Sequence, residues 1–364
     1  WCRLSIAPAA PAAFEKPVPL SLPLTPSPEE YAQLAARAFQ SGVLTNHGPL
    51  VQELEARLSE RLAPLALCSN GTIAITLALK ALKVRGEVIT SAFTFPATIQ
   101  AIELAGLTPV LADVDPDSML ITPHTAARKI TSQTGAILPV HLFGRLCDTE
   151  GFAKLAAEHS LALIYDGAHA FDLPVFGDAT TYSFHATKLF HTAEGGAAAF
   201  LDSPEALASA KRLRSFGMTG EVVAESGMNA KMSELHAALG LWTLSRVEEE
   251  RRKRRAVAAA YISVLGGERG VEIIASPNCQ YFVLRLTHPY RRDAVYATLM
   301  AHGVQTRRYF WPAIPAHPAY MARFFGDYPG ARAAAKECLA LPFYGALDPE
   351  DAKKIARIAL GKKP

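Results

Sequence analysis

The chain has 364 residues, long enough for one large domain and a smaller second one. Half of the residues are hydrophobic and a fifth are charged, and a net charge of +3 is too small to argue for nucleic acid or an acidic membrane surface as partner. No apolar run is long enough to span a bilayer, and the opening WCRLSIAPAAPAAFEKP lacks the apolar core of a signal peptide. Five cysteines (Cys2, Cys68, Cys147, Cys279, Cys338) are scattered and never form a CxxC pair, which speaks against a disulfide framework or a metal site and fits a reducing cytoplasm.

Residues 1–28 read as an extended N-terminal segment. From about residue 50 the blocks alternate. VQELEARLSERL has helical periodicity, LALC is a short apolar run closed by the turn SNGT, and IAITLALKAL is helical again. EVITS, TPVLADVD, GAILPVHL and LALIYD then read as strands, separated by helices at PATIQAIELAG, TPHTAARKI and TEGFAKLAAEHS. This rhythm predicts an α/β fold, a mostly parallel sheet with helices on both faces, over residues 29–245. The strands alternate little, as burial on both sides requires. GGAAAFL reads as one more strand, PEALASAKRLRSF as a helix, and a loop with Gly220 and Gly227 leads into a single long helix from about Lys231 to Tyr261. Residues 246–364 read as a smaller α+β domain, with strands around QYFVLRL and helices at RRDAVYATLMAHG, DYPGARAAAKECLAL and DPEDAKKIARIAL. The charge run EEERRKRR (248–255) falls on the long helix, where Glu–Arg pairs four residues apart make a solvated, self-paired face the default.

Open α/β sheets bind ligands at the carboxyl ends of their strands. Three groups fall there. In SNGT, Gly71 lets backbone approach a ligand and the free amides of a helix start favour a phosphate, although Asn and Thr before a helix also serve as plain caps. Asp166, in IYDGAHAF, sits where burial is costly for a carboxylate without a partner; it is either a cap or core hydrogen-bond acceptor, or the partner of a protonated ring nitrogen. Lys188, in SFHATKLFHTAEGG, is either a surface lysine or a desolvated amine whose lowered pKa makes it a nucleophile. Together, a strand-end Asp, a following Lys, a phosphate-ready turn and a Gly pair match one cofactor, pyridoxal 5′-phosphate (PLP).

The ordered blocks SNGTIAITLAL, EVITSAFTFPAT, IYDGAHAF, SFHATKLFHTAEGG and GMNAKMSELHAALG resemble the signature blocks of the DegT/StrS sugar aminotransferases, over most of the chain. The resemblance implies the fold-type I aminotransferase architecture, with PLP as cofactor and pyridoxamine phosphate during turnover. It implies Lys188 as the Schiff-base lysine and proton carrier, Asp166 as partner of the pyridine nitrogen, and His169, where many relatives have Gln, near the ring's phenolic oxygen. It implies Phe95 stacked on the ring, where an isolated Phe would fill a core, and Gly71, Thr72 and Ser183 around the phosphate. Asn229 would reach the phosphate from the other subunit, which makes the active unit a homodimer. FHATK with EGG, IYD with AHAF, and RRYFWP resemble most the branch that aminates dTDP-linked 4-keto- or 3-keto-6-deoxyhexoses, including enzymes that form dTDP-4-amino-4,6-dideoxyglucose. The implied substrates are a nucleotide-linked keto sugar and an amino donor, L-glutamate.

In RRYFWP, Arg307, Arg308 and Tyr309 are candidates for substrate contacts, or else Arg307 and Arg308 are a surface basic pair. Two departures stand out. FDLPVFGD is short, with Asp172 where Gly is common, and would trim a loop near the active-site mouth. Gly167 replaces a usual Ala against the ring face. His185 and His191 match family positions and do not suggest a metal. Two other readings are weighed. The family's dehydratases carry His in place of Lys188, and a non-catalytic sensor role meets no appended DNA-binding domain and a full cofactor set.

Overall fold

The short apolar runs of the sequence become strands because hydrophobic cores press on both of their faces. The computed structural model describes residues 13–274 and 276–363, so Cys2 and the start of the extended segment lie outside the described residues. From residue 13 the chain runs as a strap, bonding Val18 to Gly303 and Gln305, Leu20 to Phe343 and Leu24 to His191. Helix α1 (Pro28–Ser41) then opens on a capping box in which Ser27 and Glu30 satisfy each other's backbone amides. In order follow α2 (Pro49–Arg61), β1 (Leu65–Cys68), α3 (Gly71–Ala81), β2 (Glu87–Ser91), α4 (Pro96–Leu104), β3 (Thr108–Ala112), α5 (Pro123–Ala127) and β4 (Thr134–Leu138). Next come α6 (Thr149–His159), β5 (Ala162–Asp166), β6 (Ala179–Ser183), β7 (Gly196–Ala199) and α7 (Pro204–Leu213).

These strands form one sheet in the order β1-β7-β6-β5-β4-β2-β3. All neighbours pair in parallel except β7, which runs antiparallel to both β1 and β6. One face carries Val88, Ala136, Ile164 and Ala198 under α3, α4 and α7. On the other face Ile89, Ile137 and Leu163 pack with α5 and α6. Beside them Leu65, Leu67 and Ala197 meet α2 and α8 (Glu234–Leu244), the helix that follows the exposed hairpin of β8 (Met218–Thr219) and β9 (Val222–Val223). Small residues matter in β7: its run of alanines lets α3 lie close, and a Cβ on Gly196 would come within 2.5 Å of the Asn70 backbone.

The rest of the chain builds a three-stranded antiparallel sheet. Its elements are α9 (Val247–Leu265), β10 (Val271–Ile274), β11 (Val283–Leu286), α10 (Arg292–Ala301), α11 (Pro329–Glu337), β12 (Cys338–Ala340) and α12 (Pro349–Ala359), with β11 in the middle. Tyr261, Leu284, Leu299 and Ile355 centre a core between this sheet and α9, α10 and α12. Among the described residues no helix is long and apolar enough to cross a membrane.

Three expectations change. The single helix from Lys231 to Tyr261 is two helices, capped by Ser233 and interrupted at Ser245–Arg246, because α8 and α9 bury themselves in different cores. No Gly or Pro marks the break. The DYPGARAAAKECLAL block switches to strand β12 at Cys338, where pairing with β11 overrides helical propensity. The charge run is not simply solvated. Glu249 pairs with Lys253 in the open, but the Glu250–Arg254 pair, at 2.7 Å, is buried, and Glu250 also accepts from the Gly345 amide.

Glu250→Ala would leave the Arg254 guanidinium buried without its carboxylate, at a cost of about 3–5 kcal/mol. A clear drop in the denaturant midpoint is expected for Glu250→Ala and none for Glu249→Ala; equal midpoints would show that the buried pair is not needed.

Candidate active site

A cleft of about 510 Å³ opens at the carboxyl ends of β1, β5 and β6. Asp166 ends β5 and is 5% exposed. Its backbone is held by the Pro139 carbonyl and the His141 amide. Its carboxylate accepts from the Ala168 amide at 3.0 Å and from the Thr98 hydroxyl at 2.8 Å, and Thr98 contacts Thr94 in turn. Burial pushes the Asp166 pKa up, while the Ala168 and Thr98 donors and the nearby Lys188 charge favour the ionised form. A further cation above it would tip that balance to the carboxylate.

Lys188 does not lie at the end of a strand. It sits in the connection (184–195) between antiparallel β6 and β7, where its amide bonds to the His185 carbonyl and the neighbouring Leu189 amide bonds to Gln280. Its amine points into the cleft, 3.0 Å from the Tyr281 hydroxyl. Burial pulls its pKa down to about 8, against the opposing influence of Tyr309 and Asp166. His169 is also buried there. Its Nδ1 accepts from the Phe143 amide at 3.2 Å, and burial holds the ring's pKa well below its ordinary value, so Nε2 carries the proton as a neutral donor.

Gly71 and Thr72 form the first turn of α3, capped by the Asn70 side chain on the Ile73 amide. The first amides of a helix have no partner within it and favour an anion. A Cβ on Gly71 would fall 2.7 Å from the Ser183 Cβ, so the space between these two residues exists only because position 71 is Gly. Phe95 caps α4 on the cleft wall and is 46% exposed, an unusual place for a ring that merely fills a core. This cradle, the anchored carboxylate, the desolvated amine and the open ring fit PLP.

The structure brings together Gly71, Thr72, Phe95, Asp166, His169, Ser183, Lys188, Arg307 and Tyr309. The Arg307 guanidinium lies 5.7 Å from the Phe95 ring centroid and 4.8 Å from that of Tyr309. Arg308 turns away, pairing with Asp293 at 3.3 Å and stacking on Tyr296, so it does not line the cleft. Asn229 is exposed outside this cleft and accepts from Lys231 at 2.7 Å. The sequence reading of Gly167 is corrected: a Cβ there would meet Thr180 and Thr181 at 2.8 Å, and Ala168 lines the cleft instead. Residues 171–178 do not line it either. Asp172 is held by Arg61 and Arg251, which pins that short loop to α2 and α9. Tyr281 was missed, because within QYFVLRL it reads only as an apolar strand residue.

The DegT/DnrJ/EryC1/StrS aminotransferase family model matches residues 27–359. The chain belongs to this family. Its architecture is fold-type I, and its cofactor is PLP. It is 37% identical over 352 residues to a Shigella dysenteriae dTDP-4-amino-4,6-dideoxy-D-glucose transaminase, covering 92% of this chain and 96% of that one. DesI, crystallised in the presence of its TDP-sugar product, is 34% identical with a TM-score of 0.91, covering 96% of this chain and 94% of DesI. The PLP form of Spr1654 from Streptococcus pneumoniae is 25% identical with a TM-score of 0.87, covering 95% of this chain and 99% of that one.

Two outcomes follow from this geometry. Only the neutral amine is nucleophilic, so covalent loading of the cofactor-free protein should quicken as pH rises through about 8 and level off above it; stopped-flow absorbance would show a flat profile if Lys188 were not desolvated. Gly71→Ala should weaken PLP binding at least about tenfold, since the added methyl takes up cradle space worth more than about 1.4 kcal/mol; titration with PLP reads this directly.

Proposed function

We propose that this aminotransferase moves an amino group from L-glutamate to a dTDP-linked keto-6-deoxyhexose, a 4-keto or 3-keto sugar. The observation that carries the reading is the desolvated Lys188 amine in one cleft with the anchored Asp166 carboxylate. The name of the Shigella relative supports the sugar class.

Bound PLP supplies the electron sink that makes a carbon–hydrogen bond next to nitrogen acidic. The Lys188 amine would hold the cofactor through its aldehyde carbon and, when free, would serve as the base that takes a proton from the donor's α-carbon and as the acid that gives it back. In the second half-reaction the same amine carries the proton in the opposite direction. Asp166 would hold the ring nitrogen in its protonated form, the neutral His169 would offer its Nε2 proton to the phenolic oxygen, and Phe95 would lie against the ring. Gly71, Thr72 and Ser183 would hold the phosphate. Arg307 and Tyr309 face the substrate side of the cleft, whereas the position of Arg308 favours a surface role. A lysine at position 188 disfavours the dehydratase reading.

We assign the active unit as a homodimer in which Asn229 completes the phosphate site of the other subunit. The exposed Asn229 and the apolar hairpin beside it, where Val222 and Val223 are 67% and 66% exposed, support a surface covered by a second copy. The unpaired, buried Cys68, Cys147, Cys279 and Cys338 support a cytoplasmic setting. We divide the chain at residues 245/246 into a PLP-binding and a smaller C-terminal domain, a division supported by the separate cores of α8 and α9.

The test is a visible absorption spectrum of PLP-loaded protein before and after L-glutamate, followed by addition of dTDP-4-keto-6-deoxyglucose. The expected result is conversion to the pyridoxamine form and then an aminated sugar nucleotide by mass spectrometry; a spectrum indifferent to glutamate would overturn the donor. Lys188→Ala should lower turnover by at least about 100-fold while the protein stays folded, and near-normal turnover would remove Lys188 from its role.

A further inference from the structure

The segment that leads into β11 is fastened to the cleft from two sides. Asn278 donates to the carbonyls of His169 and Phe171 at 2.8 and 3.0 Å, and Gln280 accepts from the Leu189 amide at 2.7 Å and donates to the Thr187 carbonyl at 3.3 Å. Both side chains are 3% exposed. They join the His169 segment and the Lys188 turn to the same stretch of backbone. Tyr281 comes next in the chain, its amide bonded to Ser276, its ring edge-on to His169 and Phe143 with centroids 4.7 and 6.0 Å apart. Its hydroxyl lies 3.0 Å from the Lys188 amine, and its ring packs edge-on against Tyr309 with centroids 5.5 Å apart.

We propose that Tyr281 is a positioning residue for Lys188, its phenol oxygen holding the free amine at a fixed place in the cleft while the Asn278–Gln280 clamp keeps that oxygen in register with the lysine turn. This rests on the role of Lys188 given above. A lysine side chain has four rotatable bonds, and an amine displaced from the cofactor would otherwise sample many rotamers between its two proton transfers. A phenol suits both states of that amine: it accepts from the ammonium and can donate to the neutral amine. Burial pushes the Tyr281 phenol up to about 12, so it stays neutral across the working range and holds the amine without adding a charge.

The test uses Tyr281→Phe, which keeps the ring and its packing, and Tyr309→Phe, which removes only the hydroxyl behind the phenol. In the full chain without cofactor, the pH dependence of Lys188 carbamoylation by cyanate is followed by peptide mass spectrometry. Loss of the acceptor disfavours the ammonium, so the midpoint moves down in Tyr281→Phe and the neutral fraction at pH 7 rises at least about threefold; Tyr309→Phe gives a smaller shift of the same sign. In the loaded enzyme, kcat of both half-reactions falls about 10- to 100-fold with KM for donor and sugar within about threefold. An unchanged midpoint in folded Tyr281→Phe, or a loss appearing only in KM, overturns the proposal. If Tyr281→Phe unfolds, the Tyr309→Phe midpoint decides in the same way. Retained turnover in Lys188→Ala would instead overturn the role of Lys188, whatever the carbamoylation profile shows.

Discussion

A carboxylate buried at the end of a strand constrains this structure more than any other group. Asp166 can stay ionised only where donors surround it, and those donors come from different elements: Thr98 from α4, the Ala168 amide from the turn after β5. Its backbone in turn stitches β5 to the segment after β4. Each bond offsets part of the desolvation that would otherwise protonate the acid. The arrangement costs little when a cation lies above the carboxylate, so the site is a preorganised charge awaiting its complement.

The amine that shares the cleft is governed by the same low dielectric with the opposite sign. Burial lowers the Lys188 pKa, and only in part do Tyr309 and the Asp166 carboxylate offset that loss. Burial, with the nearby Lys188 and Arg307 charges, keeps His169 neutral, and the Phe143 amide on Nδ1 leaves its single proton on Nε2. The imidazole is thereby kept neutral and the amine is brought nearer to neutrality, while the Arg307 guanidinium lines the same cleft beside the Phe95 and Tyr309 rings. Electrostatics thus sets the buried region around Asp166, His169 and Lys188 apart from the part of the cleft lined by the Arg307 guanidinium.

The sequence made the strand and helix alternation legible because its periodicity reports burial, and burial decided the large sheet. It also announced Asp166, Lys188 and the Gly71 turn, since polar groups at strand ends and a glycine before a helix are chemically costly or specific. Three features stayed hidden. Whether the helix after Ser233 continues past Ser245 depends on which core each half finds, and nothing local marks the break. Gly167 and Ala168 differ in which wall they face, a matter of the turn that follows β5, which adjacent small residues do not disclose. Tyr281 was invisible because its partner, Lys188, is remote in the chain, and a tyrosine in an apolar strand offers no chemical contrast with its neighbours.

The antiparallel pairing of β6 and β7 also limits how this protein can vary. A parallel neighbour would need a long crossover, which tolerates insertions, but here the lysine rides on a closed turn whose two ends are locked rung against rung, Ser183 opposite Gly196. Inside those ends the pairing runs on, the Phe184 amide bonding to the Gly195 carbonyl and the Ala186 amide to the Ala193 carbonyl, so the segment that carries Lys188 is tied down on both flanks. An insertion here would have to break those rungs or the Gln280 bonds to Leu189 and Thr187, so the length of the connection is constrained along with the lysine it carries.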